Sequence, residues 1–430
     1  MSKTGKRLVF ITILLLVGGA LRAQDGAYGG YSPYSVYGIG NLTTQGNAYT
    51  RGMGGIGIAT RNNRYINIVN PAAITARDTL SFMADFNLEN QNAYFRQDQF
   101  KSANNTFNIT NIAFTFPIYR KSAFSFGLSN FSTMGYAFSH KEIDETGVWN
   151  YQSSGNGGLY EVFGGVAATF FDRLSVGAQA IYYFGNLDKP TSIANTNTTY
   201  RNFSNGYTMD LNGFTGKMGV QLDLPLSNGT RLIVGGTYRL GTDLRGKVTD
   251  YSFATISSYQ DTISYHTYTG RQVRIADEIG AGISLRRGEK WMVEVNYLRS
   301  DWSGSGMDTR TGFANIGKSK FSATTAQSVR AGFEFVPNRN DIRYYLRRCA
   351  YRGGVYFDRS YYKVDGANVD AFGLTLGVTL PVFRWYNGIS LGVDIGQKGS
   401  TQGMMTRERY AKFVIGFNIH DIWFRKPQYD

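Results

Sequence analysis

Apolar and polar residues alternate with a period of two along most of this chain, in stretches long enough to be tilted membrane crossings. Near the C-terminus Phe413, Ile415, Phe417 and Ile419 point one way, while Lys412, Val414, Gly416 and Asn418 point the other. Ile389, Leu391, Val393 and Ile395 likewise oppose Ser390, Gly392, Asp394 and Gly396, and Phe372, Leu374, Leu376 and Val378 oppose Gly373, Thr375, Gly377 and Thr379. Similar patterns run through Leu174 to Phe184, Leu232 to Leu240, Ile279 to Leu285 and Trp291 to Tyr297. Side chains of a strand alternate between its faces, so each stretch is a strand with one greasy face and one polar or small face. A soluble sandwich alternates too. Three features favour the membrane: strands often ten or more residues long, aromatic residues closing many of the apolar faces, and the rhythm of the connections. Composition agrees, with 30 Tyr, 29 Phe and 52 Gly against 8 Pro. That balance suits many strands and aromatic girdles.

The alternation predicts strands near 79–90, 106–117, 122–139, 155–170, 173–186, 206–224, 230–250, 264–286, 290–304, 322–336, 346–362, 367–380, 387–398 and 409–419. Connections after even-numbered strands are short: Ile118 to Lys121, Phe171–Asp172, Pro225 to Gly229 and Arg287 to Glu289. Several after odd-numbered strands are long: 91–105, 140–154, 187–205, 251–263 and 305–321. Lys363 to Gly366, a short outer connection, and Pro337 to Tyr345, a longish inner one, depart from the rule. Short turns mark the periplasmic side, which would place both termini there. The expected fold is all-β: a monomeric transmembrane antiparallel β-barrel of about 14 strands in the outer membrane. Closure pairs every backbone group in lipid.

The domain organisation follows. Residues 1–23 read as a signal peptide: Lys3, Lys6 and Arg7, then an apolar run from Leu8 to Val17, then a cut after Ala23. Beyond it no apolar run reaches the length of a helical span. Residues 79–430 form the barrel. Its inward positions are small, dominated by Gly, Ser and Thr, and leave space for something to pack inside. Residues 24–78, rich in Gly, Asn and Tyr and without strand period, are the expected lumen plug. Without the four basic residues of the leader, 41 basic residues still face 31 acidic ones. In an exported chain this favours contact with outer-membrane lipid and lipopolysaccharide headgroups over nucleic acid. The lone Cys349 reads as an ordinary strand residue.

Two motifs suggest chemistry and fail on context. In the run from Arg51 to Ala59, Gly52, Gly54 and Gly57 formally match a dinucleotide fingerprint, but no βαβ unit surrounds them. Gly388 to Gly392 matches a nucleophile elbow, yet Ser390 sits in mid-strand. His140, His266 and His420 are scattered and form no metal cluster. No enzyme, cofactor or metal is expected.

The run Gly52-Met53-Gly54, followed by Asn70-Pro71-Ala72 just before the first strand, resembles the FadL/TodX family of outer-membrane transporters of hydrophobic compounds. Ile275 to Gly282 with the Trp291 strand ending in Asp301-Trp302-Ser303 looks like that family's central hairpin, and Arg352 to Asp358 resembles a later strand. The C-terminal Asp421-Ile422-Trp423-Phe424 with its short basic tail is similar to members from Bacteroidetes. The resemblance implies a fourteen-stranded barrel closed by an N-terminal hatch, to which Gly52, Gly54, Gly57, Asn70, Pro71 and Ala72 would belong. It implies passive transport of hydrophobic small molecules such as long-chain fatty acids, through an apolar lumen pocket that leads to a lateral gap. Arg51, Arg61, Arg64 and Lys412 are the candidates for holding a carboxylate. The family also includes PorV-like barrels that act as protein partners in type IX secretion, which is the second reading.

Overall fold

The computed structural model describes residues 29–77, 81–119, 121–256, 259–314, 319–382, 387–403 and 405–422; the expected signal peptide, Trp423 and Phe424 lie outside them. Fourteen strands follow in order: β1 (Ser81–Gln97), β2 (Phe100–Pro117), β3 (Ser122–Asp144), β4 (Gly147–Phe170), β5 (Leu174–Asn195), β6 (Asn202–Pro225), β7 (Thr230–Arg239 and Thr242–Ile256), β8 (Tyr259–Ile275 and Glu278–Arg287), β9 (Trp291–Asp301), β10 (Phe321–Ala323 and Thr325–Phe335), β11 (Ala350–Val364), β12 (Ala367–Pro381), β13 (Gly388–Lys398) and β14 (Arg407–Ile422). Each pairs antiparallel with its sequence neighbours, and β14 returns to β1, Ile422 opposite Ser81 and Arg407 opposite Arg96. The ring is closed. Its exterior exposes Phe126, Val166, Val234, Val295, Phe333, Leu376 and Phe413, a belt that water would not tolerate and lipid requires. The chain is an outer-membrane β-barrel.

The strands continue beyond the expected ends. The predicted loops 91–105 and 140–154 are tight hairpins, turning at Asp98–Gln99 and Glu145–Thr146. Segments 187–205 and 251–263 are also mostly strand. Above the bilayer the lipid face no longer needs to be apolar, so the alternation fades while the backbone ladder continues. Among the expected long loops, the connection between β9 and β10 remains one in its described residues, which fold inward with Met307 and Phe313 fully buried. Cys349 is not a strand residue: it follows a single helical turn, Tyr345–Arg348, and is buried ahead of β11.

Residues 29–77 lie inside the ring, touching strands on opposite sides of it. They form three short helical turns, Pro33–Val36, Ala48–Arg51 and Pro71–Ala76, capped by the side chains of Ser32, Asn47 and Asn70. Ile39, Met53, Ile56 and Ile58 are fully buried. The wall meets them with glycines. A Cβ on Gly219 would stand 2.0 Å from Asn70 Oδ1, one on Gly235 2.2 Å from Ile58 O, and one on Gly354 2.3 Å from Gly54 N. Polar anchors complete the fit. Glu294 accepts Ala59 N at 3.0 Å and Thr60 Oγ1 at 2.6 Å, and Gln221 Nε2 donates to Ile58 O at 2.9 Å. The small inward residues noted in the sequence are thus a seat for this segment. β14 ends at the short-turn side as expected, and Gly29 and Gly30 lie well up the lumen beside Asn108 and Thr133. The segment runs the height of the lumen before it enters β1.

Gly235→Val should push residues 58–60 off the wall and cost about 1–3 kcal/mol, the usual penalty of overpacking. Thermal unfolding in detergent, with limited proteolysis of the segment, would measure it; an unchanged midpoint and unchanged cleavage would refute the seat.

Candidate functional site: the lumen and its lateral seam

The ring has one weak joint. β2 and β3 pair only from Asn111 opposite Ser129 down to Pro117 opposite Ala123. Their outer neighbours pair much further up, β1 with β2 to Gln97–Phe100 and β3 with β4 to Asp144–Gly147. Both strands bulge just above the last shared pair, where Thr110 and Phe131 are skipped by the ladders to β1 and β4. A bulge adds a residue, bends its strand and breaks the local pairing. The result is a lateral seam rimmed outside by the exposed Phe107 and Ile109.

An open edge at membrane depth leaves backbone groups without partners. Here the N-terminal segment supplies them. Asn41 and Leu42 lie opposite Thr133 and Ser132 as a two-residue strand. Thr43 N donates to Phe131 O at 2.9 Å, Ser32 N to Gly135 O at 2.8 Å, and Gly135 N to Ser35 Oγ at 3.0 Å. Tyr31 Oη donates to Ala137 O at 3.1 Å and accepts from Ala137 N at 3.2 Å. Gly40 has φ of +90°, and a Cβ there would sit 2.5 Å from Thr133 O, so only glycine lets the backbone come this close. On the β2 side Asn108 Nδ2 reaches Gly29 O at 2.6 Å and Asn130 Nδ2 reaches Ile109 O at 3.0 Å.

Behind the seam lies a cavity of about 300 Å³, reached by Arg51, Glu89, Arg330, Asp394, Lys398 and Lys412 among others. Glu89 pairs with Arg51 and stands 3.8 Å from Lys412. Arg330 pairs with Asp358 at 2.9 Å, Lys398 Nζ donates to Asn41 Oδ1 at 2.7 Å, and Glu408 accepts Ser32 Oγ at 2.6 Å. Tyr356 and Tyr410 join hydroxyls at 2.6 Å beside Asp394. Paired charges line this cavity together with apolar groups, Leu42, Val69, Leu298, Ala326 and Val414 among them. At the outer mouth Tyr37, Trp302, Met307, Phe313, Phe321, Tyr361 and Tyr362 pack in one apolar core, which continues down the lumen through Phe131, Leu159 and Tyr183 to Met83 and Ala113. Lys189 Nζ ties it to the N-terminal segment, donating to Val36 O at 2.9 Å and Gly312 O at 2.8 Å.

The four basic candidates divide. Arg51 and Lys412 meet at Glu89 in the cavity. Arg61 lies near the short turns, donating to Ser175 Oγ at 2.7 Å and facing Asp223 at 3.7 Å. Burial lowers its pKa, an effect that Asp223 opposes. Arg64 pairs with Glu289 at 3.1 Å, also at that end. The Gly and Asn-Pro candidates do gather on the wall: Gly52 abuts Gly377, Gly54 N donates to Thr375 Oγ1 at 2.7 Å, and Asn70 and Pro71 sit on Gly219 with Ala72 buried behind them. Gly57 faces Val69 within the segment instead. Arg330, Lys398 and the carboxylates were missed; their signal was a charge on an inward strand position. Ser390 bonds Thr379 within the wall, and no group of metal-ligating side chains occurs among the described residues.

Glu89→Gln removes the carboxylate that Arg51 and Lys412 share. About 3–5 kcal/mol of stability should be lost, as for a buried pair deprived of one partner. Arg51→Met/Glu89→Leu/Lys412→Met, which removes every charge of the group, should recover most of it, and calorimetric melting of the two variants decides.

A family model described as BamG matches residues 5–430. No curated protein matches the chain. Among solved structures, the CymD monoaromatic hydrocarbon channel is similar at TM-score 0.57 and 13% identity, over 89% of this chain and 98% of that one. The Pseudomonas putida toluene transporter TodX gives 0.57 and 13%, over 89% and 100%. A Pseudomonas aeruginosa FadL homologue gives 0.56 and 10%, over 89% and 99%. At such identities the likeness is one of fold.

Proposed function

The chain belongs to the BamG family, and on that premise we propose that it is a plugged, laterally gated barrel that passes hydrophobic small molecules across the outer membrane without catalysis. The observation that carries this reading is the seam between β2 and β3, filled by the chain's own residues 31–43. In this reading residues 29–77 are the hatch. The mouth is blocked by the aromatic core and the floor by the Arg61 and Arg64 pairs, so release of the segment from β3 is the least costly route outward. It breaks a few hydrogen bonds at one edge and leaves the glycine seats filled. Structural neighbours named for monoaromatic hydrocarbons and toluene support a hydrophobic cargo. The charged cavity favours a cargo with a polar end, such as a long-chain fatty acid whose carboxylate meets Lys412 and Arg51. Movement would be passive, down a gradient.

The small volume of that cavity favours the second reading, a PorV-like barrel that serves secretion through protein contacts. One lock separates the two. Asn41 and Thr133 are direct cross-strand partners, close enough for a disulfide in an antiparallel pair. The Asn41→Cys/Thr133→Cys variant, oxidised, should take up radiolabelled fatty acid at least about ten-fold more slowly than after reduction. Equal uptake in both states would sink the lateral gate. Native mass spectrometry of protein from its own outer membrane, with lipid extraction, adds the other arm: an empty barrel bound to other proteins promotes the secretion reading.

A further inference from the structure

The connection Pro337–Cys349 between β10 and β11 is unlike the tight turns around it. It carries Arg339, Arg343, Arg347 and Arg348 against a single carboxylate, Asp341. It is nonetheless ordered by its own bonds. Asp341 Oδ1 accepts Arg343 N at 2.9 Å and Tyr344 N at 2.8 Å, and Asn338 N donates to Arg347 O at 2.9 Å. Tyr345 Oη reaches Pro381 O and Tyr351 Oη reaches Leu346 O, each at 3.0 Å. This framework turns apolar side chains outward: Ile342 is 95% exposed and Leu346 67%. The guanidinium groups lie on rings beside them. Arg343 and Arg347 stand 5.4 and 4.8 Å from the centre of Tyr344, and Arg348 stands 5.0 Å from that of Tyr345. Asp341 engages Arg347 and Glu289 engages Arg339, whereas Arg343 and Arg348 have no carboxylate partner among the described residues.

The level of this loop is fixed by the wall. Trp291, Phe335 and Tyr351 are direct partners on β9, β10 and β11, an aromatic row at the short-turn edge of the lipid belt. Aromatic belts sit at headgroup depth. The loop leaves β10 just past Phe335 and returns just before Tyr351. Ile342 and Leu346 are thus presented where acyl chains begin, with free arginines among the phosphates. Arginine's planar fork suits phosphate oxygens, and the flanking rings keep it in place.

We infer that Pro337–Cys349 is a binding site for anionic phospholipid headgroups of the inner leaflet. The site needs exposed apolar groups at headgroup depth and unpaired guanidiniums together, and among the described residues of this end the loop supplies both. It stands apart from the transport reading and requires only that the short turns face the periplasm.

The probe is phosphatidylglycerol in phosphatidylcholine nanodiscs, with retained lipids counted by native mass spectrometry. Arg343→Gln/Arg348→Gln leaves the Asp341 framework in place. Since each basic group near an anionic surface contributes about a five-fold change, retention should fall at most about thirty-fold and at least about five-fold. Arg343→Lys/Arg348→Lys, which keeps the charge without the fork or the ring stacking, should retain more than the Gln pair and less than the native loop, and Arg96→Gln/Arg409→Gln, at the opposite end, should keep all. Heat-modified gel migration checks that each barrel is folded. Unchanged retention in the first variant, or an equal loss in the last, would overturn the inference. So would unchanged retention together with loss of a co-purifying periplasmic protein, which would make the loop a protein contact.

Discussion

Every backbone N–H and C=O at membrane depth has to find a partner within the protein, since lipid offers none. The fold is organised around that demand. Thirteen of the fourteen joints meet it with long ladders; the β2–β3 joint does so only in its lower part. There the debt passes to the N-terminal segment, which lends its own N–H groups, carbonyls and hydroxyls to β3. Closure of the wall and filling of the lumen are therefore one event. A barrel with an empty lumen would also be a barrel with an open side.

Steric and electrostatic fit reinforce this. Glycines on facing strands let the segment's backbone approach the wall backbone at distances no Cβ would allow. Buried carboxylates then act as fixed points: Glu294 holds residues 59 and 60, Asp85 accepts Asn47 Nδ2 at 2.5 Å, and Glu334 orients Arg352 at 2.9 Å. Arg352 lies over the stacked Tyr49 and Tyr65 rings. Leaving such groups unpaired is costlier than never burying them, so they specify one seating of the segment rather than many.

The fourteen strands were legible because lipid imposes a strict apolar face: Phe413 to Ile419 or Phe372 to Val378 admit one orientation. Small inward residues were legible as vacant space. The hairpin extensions were not, because outside the bilayer Asn, Ser and Thr occupy both faces and the period disappears. The seam was hidden for a related reason: Thr110 and Phe131 differ from their neighbours only in being skipped by a ladder. Arg61 and Arg64 were visible as cations, but Asp223 and Glu289, which neutralise them, stand far off in sequence. The polar cavity follows the same logic. Glu89, Asp358, Asp394 and Glu408 stand on inward positions, and their partners come from neighbouring strands and from the N-terminal segment, which strand periodicity does not align with them.

The segment that seals the wall is the first described part of the chain to be synthesised, and its partners include the last. Ser32 bonds Glu408, 376 residues away, and Gly54 bonds Thr375, 321 away. Such contacts cannot form until β12 and β14 exist. Segment docking must therefore come late in assembly, after a slow search imposed by high contact order. Until then the nascent barrel carries an unsatisfied strand edge on β3, open to pairing with any extended chain nearby. Biogenesis of this molecule thus has a vulnerable interval, whose length is set by how soon its own beginning finds its end.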